Sequence, residues 1–446
     1  MRNHSTKERG RYTLSKLLSL CVLMLFSFYA HAQSTQYIEG KIRVKVDEET
    51  AALLNEAKQN QQSSGLLQIE HPALKTIFNQ CNVSDVSRVF PYNEKYEEKH
   101  KRHGLHLWFQ VEFDQSTSVS QAVSLFQQFG GARVAEPVLK KKIVGNLTYN
   151  WVAASNNQLN LLSLSTDPDD PLYSDQWHYN NTGQSGGTPG ADIDLPQAWN
   201  IETGSTDVIV AVTDGGIDIA HEDIIDNLWI NEDEIPDNGI DDDGNGYIDD
   251  IHGYGFGDDS PTIPADAHGT HVGGTVAATT NNGIGVAGVA GGSGVGDGIR
   301  LMSCASFGQF NVGNFAQSYI YAADNGAVIS QNSWGYTSPG VFEQAVLDAI
   351  DYFIAEAGFD ELGNPVGPMQ GGIVIFAAGN DGSFDDYYPG FYDPVLSVGG
   401  TDHNDDEYIS SNRGDWVDMA APAVNVLSTL RSEEHTSELQ SLLIIS

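Results

Sequence analysis

After Lys142 the sequence contains no lysine, and residues 166–446 carry only three arginines, Arg300, Arg413 and Arg431. Of the 22 Lys and Arg, 19 stand in residues 1–165 beside 14 of the 60 Asp and Glu, so a mildly basic first part precedes a strongly acidic second part within a net charge of −38. A surface so poor in cations repels phosphate backbones and anionic lipid headgroups, which argues against a nucleic-acid partner and leaves basic substrates or bound cations. The same acidity also serves simply to keep an extracellular protein soluble. The composition changes near residue 165, and 446 residues suit two domains.

Cysteine is nearly absent: Cys21 lies in the leading segment, and Cys81 and Cys304 fall on opposite sides of the boundary. No disulfide can form within the second part, and a secreted chain without disulfides often uses bound metal for rigidity. A long membrane-spanning run is missing too. The apolar stretch from Leu17 to Ala30 is shorter than the roughly 20 residues that cross a bilayer. Lys7, Arg9, Arg11 and Lys16 precede it, and Ala30 and Ala32 supply the small residues of a cleavage site. Residues 1–32 therefore read as a secretory signal, with the mature chain starting at Gln33, extracellular and free of the membrane. Leu20 before Cys21 is unlike a lipoprotein box.

Residues 33–165 predict a small α+β domain. Alternation in G-K-I-R-V-K-V at 40–46, L-W-F-Q-V-E-F at 107–113 and A-R-V-A-E-P-V at 132–138 predicts strands, and helical spacing predicts helices over 48–60 and 118–129. From 167 onward, near-continuous apolar runs at 208–212, 327–330 and 373–378 predict strands covered on both faces, hence a parallel sheet flanked by helices with functional groups at the carboxyl ends of the strands.

Three segments at such strand ends carry chemistry. V-I-V-A-V-T-D-G-G-I-D at 208–218 places Asp214 at a strand end before two glycines. D-A-H-G-T-H at 266–271 supplies His268, whose side chain exchanges a proton near neutral pH. V-I-F-A-A-G-N-D-G at 374–382 presents Asn380 after a buried strand. A competing reading makes His268 and His271 a metal pair on one helix face, without an obvious third ligand.

Together these segments resemble, in order, the aspartate, histidine and oxyanion-asparagine motifs of subtilisin-like serine proteases (peptidase S8). The resemblance implies a three-layer α/β catalytic domain over 166–430, with a parallel subtilisin-like sheet, preceded by a propeptide at 33–165 that helps folding and inhibits. It implies polypeptide substrates, Asp214 orienting His268, His268 as general base, and Asn380 donating to the oxyanion. Q-N-S-W-G-Y at 331–336 resembles the family's substrate-binding segment, so Ser333, Trp334 and Gly335 are expected to pair with the substrate backbone as an added strand. The glycine after His268 is expected to let the substrate backbone approach. Gly215, Gly273 and Ala423 depart from the family's usual residues, and Gly215 takes away one expected hydrogen bond to the Asp214 carboxylate.

Between the Asp and His motifs, D-D-D-G-N-G-Y-I-D-D at 241–250 spaces oxygen ligands at Asp241, Asp243, Asn245, the Tyr247 carbonyl and Asp249, with Asp250 as a substitute. Alternate oxygens around a tight glycine turn suit structural Ca²⁺, although His252 stands where an EF-hand places Glu. M-A-A-P at 419–422 resembles the end of the family's serine motif, but Val417 and Asp418 stand where Thr and Ser belong. R-S-E-E-H-T-S-E-L-Q-S after Leu430 resembles translated sequencing-adapter sequence, so 431–446 is read as an artefactual tail and the nucleophile is expected outside this sequence. On that expectation residues 1–446 alone do not catalyse. The alternative is a non-catalytic, calcium-stabilised peptide-binding pseudoprotease. A glutamate-centred relative is disfavoured by His268.

Overall fold

The computed structural model describes residues 36–151, 167–308, 313–430 and 438–441. The signal segment, most of the expected junction stretch 150–166 and most of the tail lie outside them.

The N-terminal domain is built as predicted, with additions. Strand β1 (Tyr37–Val46) is followed by α1 (Glu48–Ser64), α2 (Pro72–Cys81), β2 (Val83–Arg88), α3 (Glu97–Arg102), β3 (Trp108–Phe113), α4 (Val119–Gln127) and β4 (Ala132–Leu139). Local chemistry sets the boundaries. The Asp47 carboxylate accepts the Thr50 N–H at 2.9 Å to start α1, and Gly65 in the left-handed region ends it. Pro72 opens α2, where its missing N–H costs nothing. The strands form an antiparallel sheet in the order β2-β3-β1-β4. Ile42, Val44, Leu54, Phe78, Val111 and Phe126 are buried between this sheet and its helices. Helix α2 was not predicted although Leu74, Ile77, Phe78 and Cys81 keep helical spacing between the Pro72 start and the Asn82 stop, whereas strand β2 has no clear period.

Short strands β5 (Lys141–Ile143) and β6 (Asn146–Trp151) lead to the second domain, whose elements include β7 (Ile209–Asp214), β8 (Gly253–Tyr254), α5 (Ala267–Ala277), β9 (Arg300–Ala305), α6 (Phe315–Asp324), β10 (Ile329–Asn332), β11 (Trp334–Tyr336), α7 (Gln344–Glu356), β12 (Ile373–Ala377), β13 (Leu396–Thr401), β14 (Met419–Pro422) and β15 (Val426–Leu427). Seven of these strands make one parallel sheet in the order β14-β13-β12-β10-β7-β9-β8. Strand β7 shows why its residues are apolar on both faces: Val210 and Val212 pack with Val272 and Val276 of α5, while Ala211 joins the opposite core with Phe315, Tyr319, Ile350 and Phe353 of α6 and α7. Among the described residues no helix is long and apolar enough to cross a membrane.

The first domain sits on α6 and α7. Trp108 and Leu139 belong to the same buried cluster as those helices, and Trp108 Nε1 donates to Asp348 at 2.9 Å. The chain then crosses to the second sheet's carboxyl edge, where β5 pairs antiparallel with β11.

Candidate active site

Strands β7, β10 and β12 are neighbours, and all three candidate segments leave their carboxyl ends: Asp214 ends β7, Ser333 follows β10, and Asn380 lies three residues past β12. The parallel sheet thus gathers residues that are up to 166 positions apart in sequence. His268 arrives from the other layer, in the first turn of α5. That turn is fixed by Asp266, whose carboxylate accepts the N–H groups of His268 (2.9 Å) and Gly269 (3.0 Å).

Asp214 is fully buried, and its two carboxylate oxygens each lie 2.9 Å from His268 Nδ1. The Gly215 N–H donates to the same carboxylate at 2.7 Å. An imidazole donating from Nδ1 keeps Nε2 as its acceptor, the tautomer a general base needs. Nε2 makes no hydrogen bond among the described residues. Burial opposes protonation of His268, but the Asp214 carboxylate overcomes it, and the pKa rises above the ordinary 6.5. Asp266 and the Val144 backbone push the same way. Asp266, which sequence reasoning passed over, therefore both caps the helix and adds to the field on the base. Its signal was the ordinary one of an Asp two residues before a helical motif.

Close backbone approach explains the glycines here. A Cβ on Gly269 would lie 2.2 Å from the Gly216 carbonyl oxygen, so its bareness lets α5 approach the loop after Asp214. A Cβ on Gly215 would meet the Asp266 carboxylate at 2.5 Å, so the capping aspartate fills the space a Ser or Thr side chain would use. His271 is no metal ligand in this arrangement: it is buried, its Nε2 lies 3.1 Å from the Val426 carbonyl, and burial with the neighbouring His268 drops its pKa to about 3.

The expected substrate segment holds part of this same chain. The Ser333 carbonyl accepts the Val144 N–H at 2.7 Å, and Trp334, Gly335 and Tyr336 stand opposite Ile143, Lys142 and Lys141. The Val144 side chain packs with Ala377 and Ala423. Ser333, Trp334 and Gly335 thus offer their backbone to an added strand, here one of this same chain. The Trp334 ring is a core group, 1% exposed and packed on Phe315 and Phe376 at 4.4 and 5.3 Å between centroids. The segment paired in the cleft runs from Lys141 to Val144.

Asn380 follows Gly379, whose φ of +113° turns the chain sharply after β12. Its Oδ1 is buried without a hydrogen-bond partner among the described residues. The loop is pinned by Asn412, which donates to the Ala378 carbonyl (3.0 Å) and accepts from Asp381 N–H (3.0 Å) and Ser383 N–H (3.1 Å). Asn412 is a positioning residue that the sequence alone did not single out.

In the acidic insert, carboxylates of Glu234, Asp243 and Asp250 converge with ligand atoms within 4.8 Å of one another. Asp243 was expected and Asp250 was the substitute, whereas Glu234 was missed because it lies outside the alternating run. Asp241 accepts the Asn245 and Gly246 N–H groups, and Asp249 accepts those of Asn238 and Gly239, so both serve as turn caps. The Asn245 amide bridges Asp243 and Asp250 at 3.0 Å each, and the Tyr247 ring is buried against Tyr254 and Tyr321. Burial, then the neighbouring carboxylates, raises the pKa of Glu234, and burial raises that of Asp250.

Comparison with known proteins agrees with this geometry. The profile described as "Subtilase family" matches residues 205–444, and that described as "N-terminal of Subtilase family" matches residues 42–183. The chain belongs to the subtilase family. This subtilase is 28% identical over 332 residues to the thermophilic serine proteinase of Bacillus sp. (strain AK1), covering 73% of this chain and 71% of that protein. It is 30% identical over 247 residues to thermitase of Thermoactinomyces vulgaris, covering 55% and 73%. Among solved structures, fervidolysin of Fervidobacterium pennivorans, a keratinolytic enzyme related to subtilisin, superposes with a TM-score of 0.57 at 21% identity, over 92% of this chain and 53% of that one. The superposition shows the subtilisin-like fold, and the sequence matches add the N-terminal propeptide domain and the kinship with serine proteases.

Proposed function

We propose that the protein is a secreted serine endopeptidase whose own N-terminal domain inhibits it until cleaved. The observation that carries this reading is the Asp214–His268 pair beside a cleft already filled, strand against strand, by residues 141–144 of the same chain. In the reaction, a serine outside residues 1–446 attacks the substrate carbonyl as His268 Nε2 takes its proton. Asp214 stabilises the imidazolium, and Asn380 donates to the oxyanion. The proton then passes to the leaving amine, and water releases the acyl group. Ser333 and Gly335 hold the substrate by main-chain hydrogen bonds, which favours broad cleavage of polypeptides. The propeptide is held by the same bonds, so it inhibits by occupying the cleft. Secretion is supported by the 1–32 segment and by relatives named as extracellular proteases, from Natrialba magadii and Xanthomonas campestris.

A structural Ca²⁺ fits the acidic insert. Three converging carboxylates have no Lys or Arg paired to them among the described residues, and a cation between them would relieve their mutual repulsion. Glu234, Asp243 and Asp250 would hold it, and it would supply rigidity with no part in the chemistry.

The test is labelling of the full-length protein by a fluorophosphonate probe together with casein hydrolysis. Both are expected, and both are lost in H268A. A full-length protein that neither reacts nor hydrolyses overturns the reading. Residues 1–446 expressed alone are expected to remain unlabelled.

A further inference from the structure

Lys141 is a lysine with a wholly buried side chain, at the cleft position three residues before Val144. Its Nζ donates to the Glu343 carboxylate and to the Leu139 carbonyl (3.1 Å), and it lies 5.2 Å and 5.3 Å over the rings of Tyr336 and Phe315. Glu343 is buried just as fully, at the start of α7, and its other oxygen takes Arg43 at 3.2 Å. Both cations come from the N-terminal domain. The second domain has no replacement among its described residues, because Arg300 is bound to Asp226, Asn227 and Gly296, and Arg413 to Glu407 and Ile409. Once the N-terminal domain leaves, Glu343 keeps Tyr336 beside it and has no cation of its own, a place that a ligand's cation can take.

The register fixes where that ligand's cation belongs. Val144 donates its N–H to Ser333 and packs on Ala377, the last residue of the strand that leads to Asn380, so it closes the paired segment and the bond presented to the site is the one after it. We propose that Glu343, walled by Tyr336 and Phe315, makes this cleft select peptides with Lys or Arg at the fourth residue before the cleaved bond, the position Lys141 holds. The proposal rests on the protease reading for the word "cleaved" and on the docked segment alone for the pocket. A charged hydrogen bond reinforced by two ring faces is worth about 10- to 100-fold in selection over an apolar side chain. Ser333 and Gly335 contact only backbone, so this pocket and the Val144 site together carry the selectivity.

Two measurements test it. Mature full-length enzyme is given fluorogenic peptides ending Lys-Lys-Ile-Val or Leu-Lys-Ile-Val before the reporter. A kcat/KM higher by about tenfold or more for the first is expected, and the two rates converge in E343Q. Equal rates in the unmodified enzyme overturn the proposal. Separately, hydrogen exchange of the Val144 amide is followed in the full chain. K141M is expected to exchange about tenfold faster or more, and K141R to keep the native protection. Native protection in K141M overturns the pocket. If neither peptide is cut while K141M is loosened and K141R is not, the pocket stands and the protease reading falls.

Discussion

His268 is placed by two carboxylates with different tasks. Asp214 accepts from Nδ1 and sets the tautomer, while Asp266 holds the helix turn that carries the ring. The raised pKa of His268 fixes the sign of the pH dependence: the base is useful only when neutral, so activity must rise with pH through a value above 6.5. The Val144 backbone contributes to that value while it occupies the cleft, so the relevant parameter is kcat, which reports the occupied enzyme. In D214N the charge that overcomes burial is gone and the tautomer is lost. Activity is expected to fall about 10⁴-fold, and the residual limb to move below 6.5. A kcat profile with its limb at or below 6.5 in the native enzyme contradicts this account. Asn380→Ala should cost about 10²–10³ in kcat with little change in KM, the loss that follows removal of the oxyanion asparagine in subtilisin itself. A loss confined to KM would instead place Asn380 in ground-state binding.

At the scale of elements, helix α5 and the loop after β7 must touch backbone to backbone for the pair to form. Gly269→Ala puts a methyl carbon 2.2 Å from the Gly216 carbonyl oxygen, where no flexible side chain can give way. Overpacking of this kind costs about 1–3 kcal/mol, and a backbone contact belongs at the upper end. The expected outcome is a lower Tm and a separated Asp214–His268 pair, seen as loss of activity larger than the loss of stability explains. Unchanged Tm and activity would show that the helix shifts freely. The major strands were legible because burial on both faces leaves a near-continuous apolar signature, as at Ile209–Asp214 and Ile373–Ala377. Helix α5 was legible through its chemistry only. Its glycines and threonines pack against neighbouring backbone, so it has no amphipathic period to read. The contact of Gly269 with Gly216 was hidden for the same reason: a sequence shows that a glycine is present and cannot show which backbone comes near it. Trp334 divides in the complementary way, its backbone lining the cleft while its ring belongs to the core.

In the acidic insert, Asp241 and Asp249 cap turns, while Glu234 and Asp243, which also accept backbone N–H groups, converge with Asp250. Alternation counted oxygens along the chain, whereas the fold selects those that turn inward. Ca²⁺ at millimolar concentration is expected to raise Tm by about 5 °C or more, and a chelator to reverse it. The rise should disappear in D243N and persist in D241N, which tests the convergent set against the alternating one.

The whole molecule explains the uneven charge that first marked the domain boundary. The cations of the first domain meet the acids of the second: Lys45 with Asp348 at 2.7 Å, Lys99 with Asp324 at 3.5 Å, Arg102 with Glu356 at 3.7 Å and Lys142 with Asp381 at 2.8 Å, besides the buried Arg43 and Lys141 on Glu343. Residues 33–165 hold 14 Lys and Arg beside 13 Asp and Glu, so the inhibitor is nearly neutral overall, but its cations at the contact face a strongly acidic enzyme, and such steering raises association rates by about 10- to 1,000-fold at low salt. Screening shortens its reach from about 10 Å at 0.1 M salt to about 3 Å at 1 M. The separated propeptide domain is therefore expected to bind the mature enzyme about tenfold more slowly at 1 M than at 0.05 M NaCl. Its dissociation should change much less, because the pairs on Glu343 are closed off from solvent and ions cannot screen them. Stopped-flow association and dissociation across that range separates the two effects. An association rate indifferent to salt would mean that the charge division serves each domain's solubility and not their meeting.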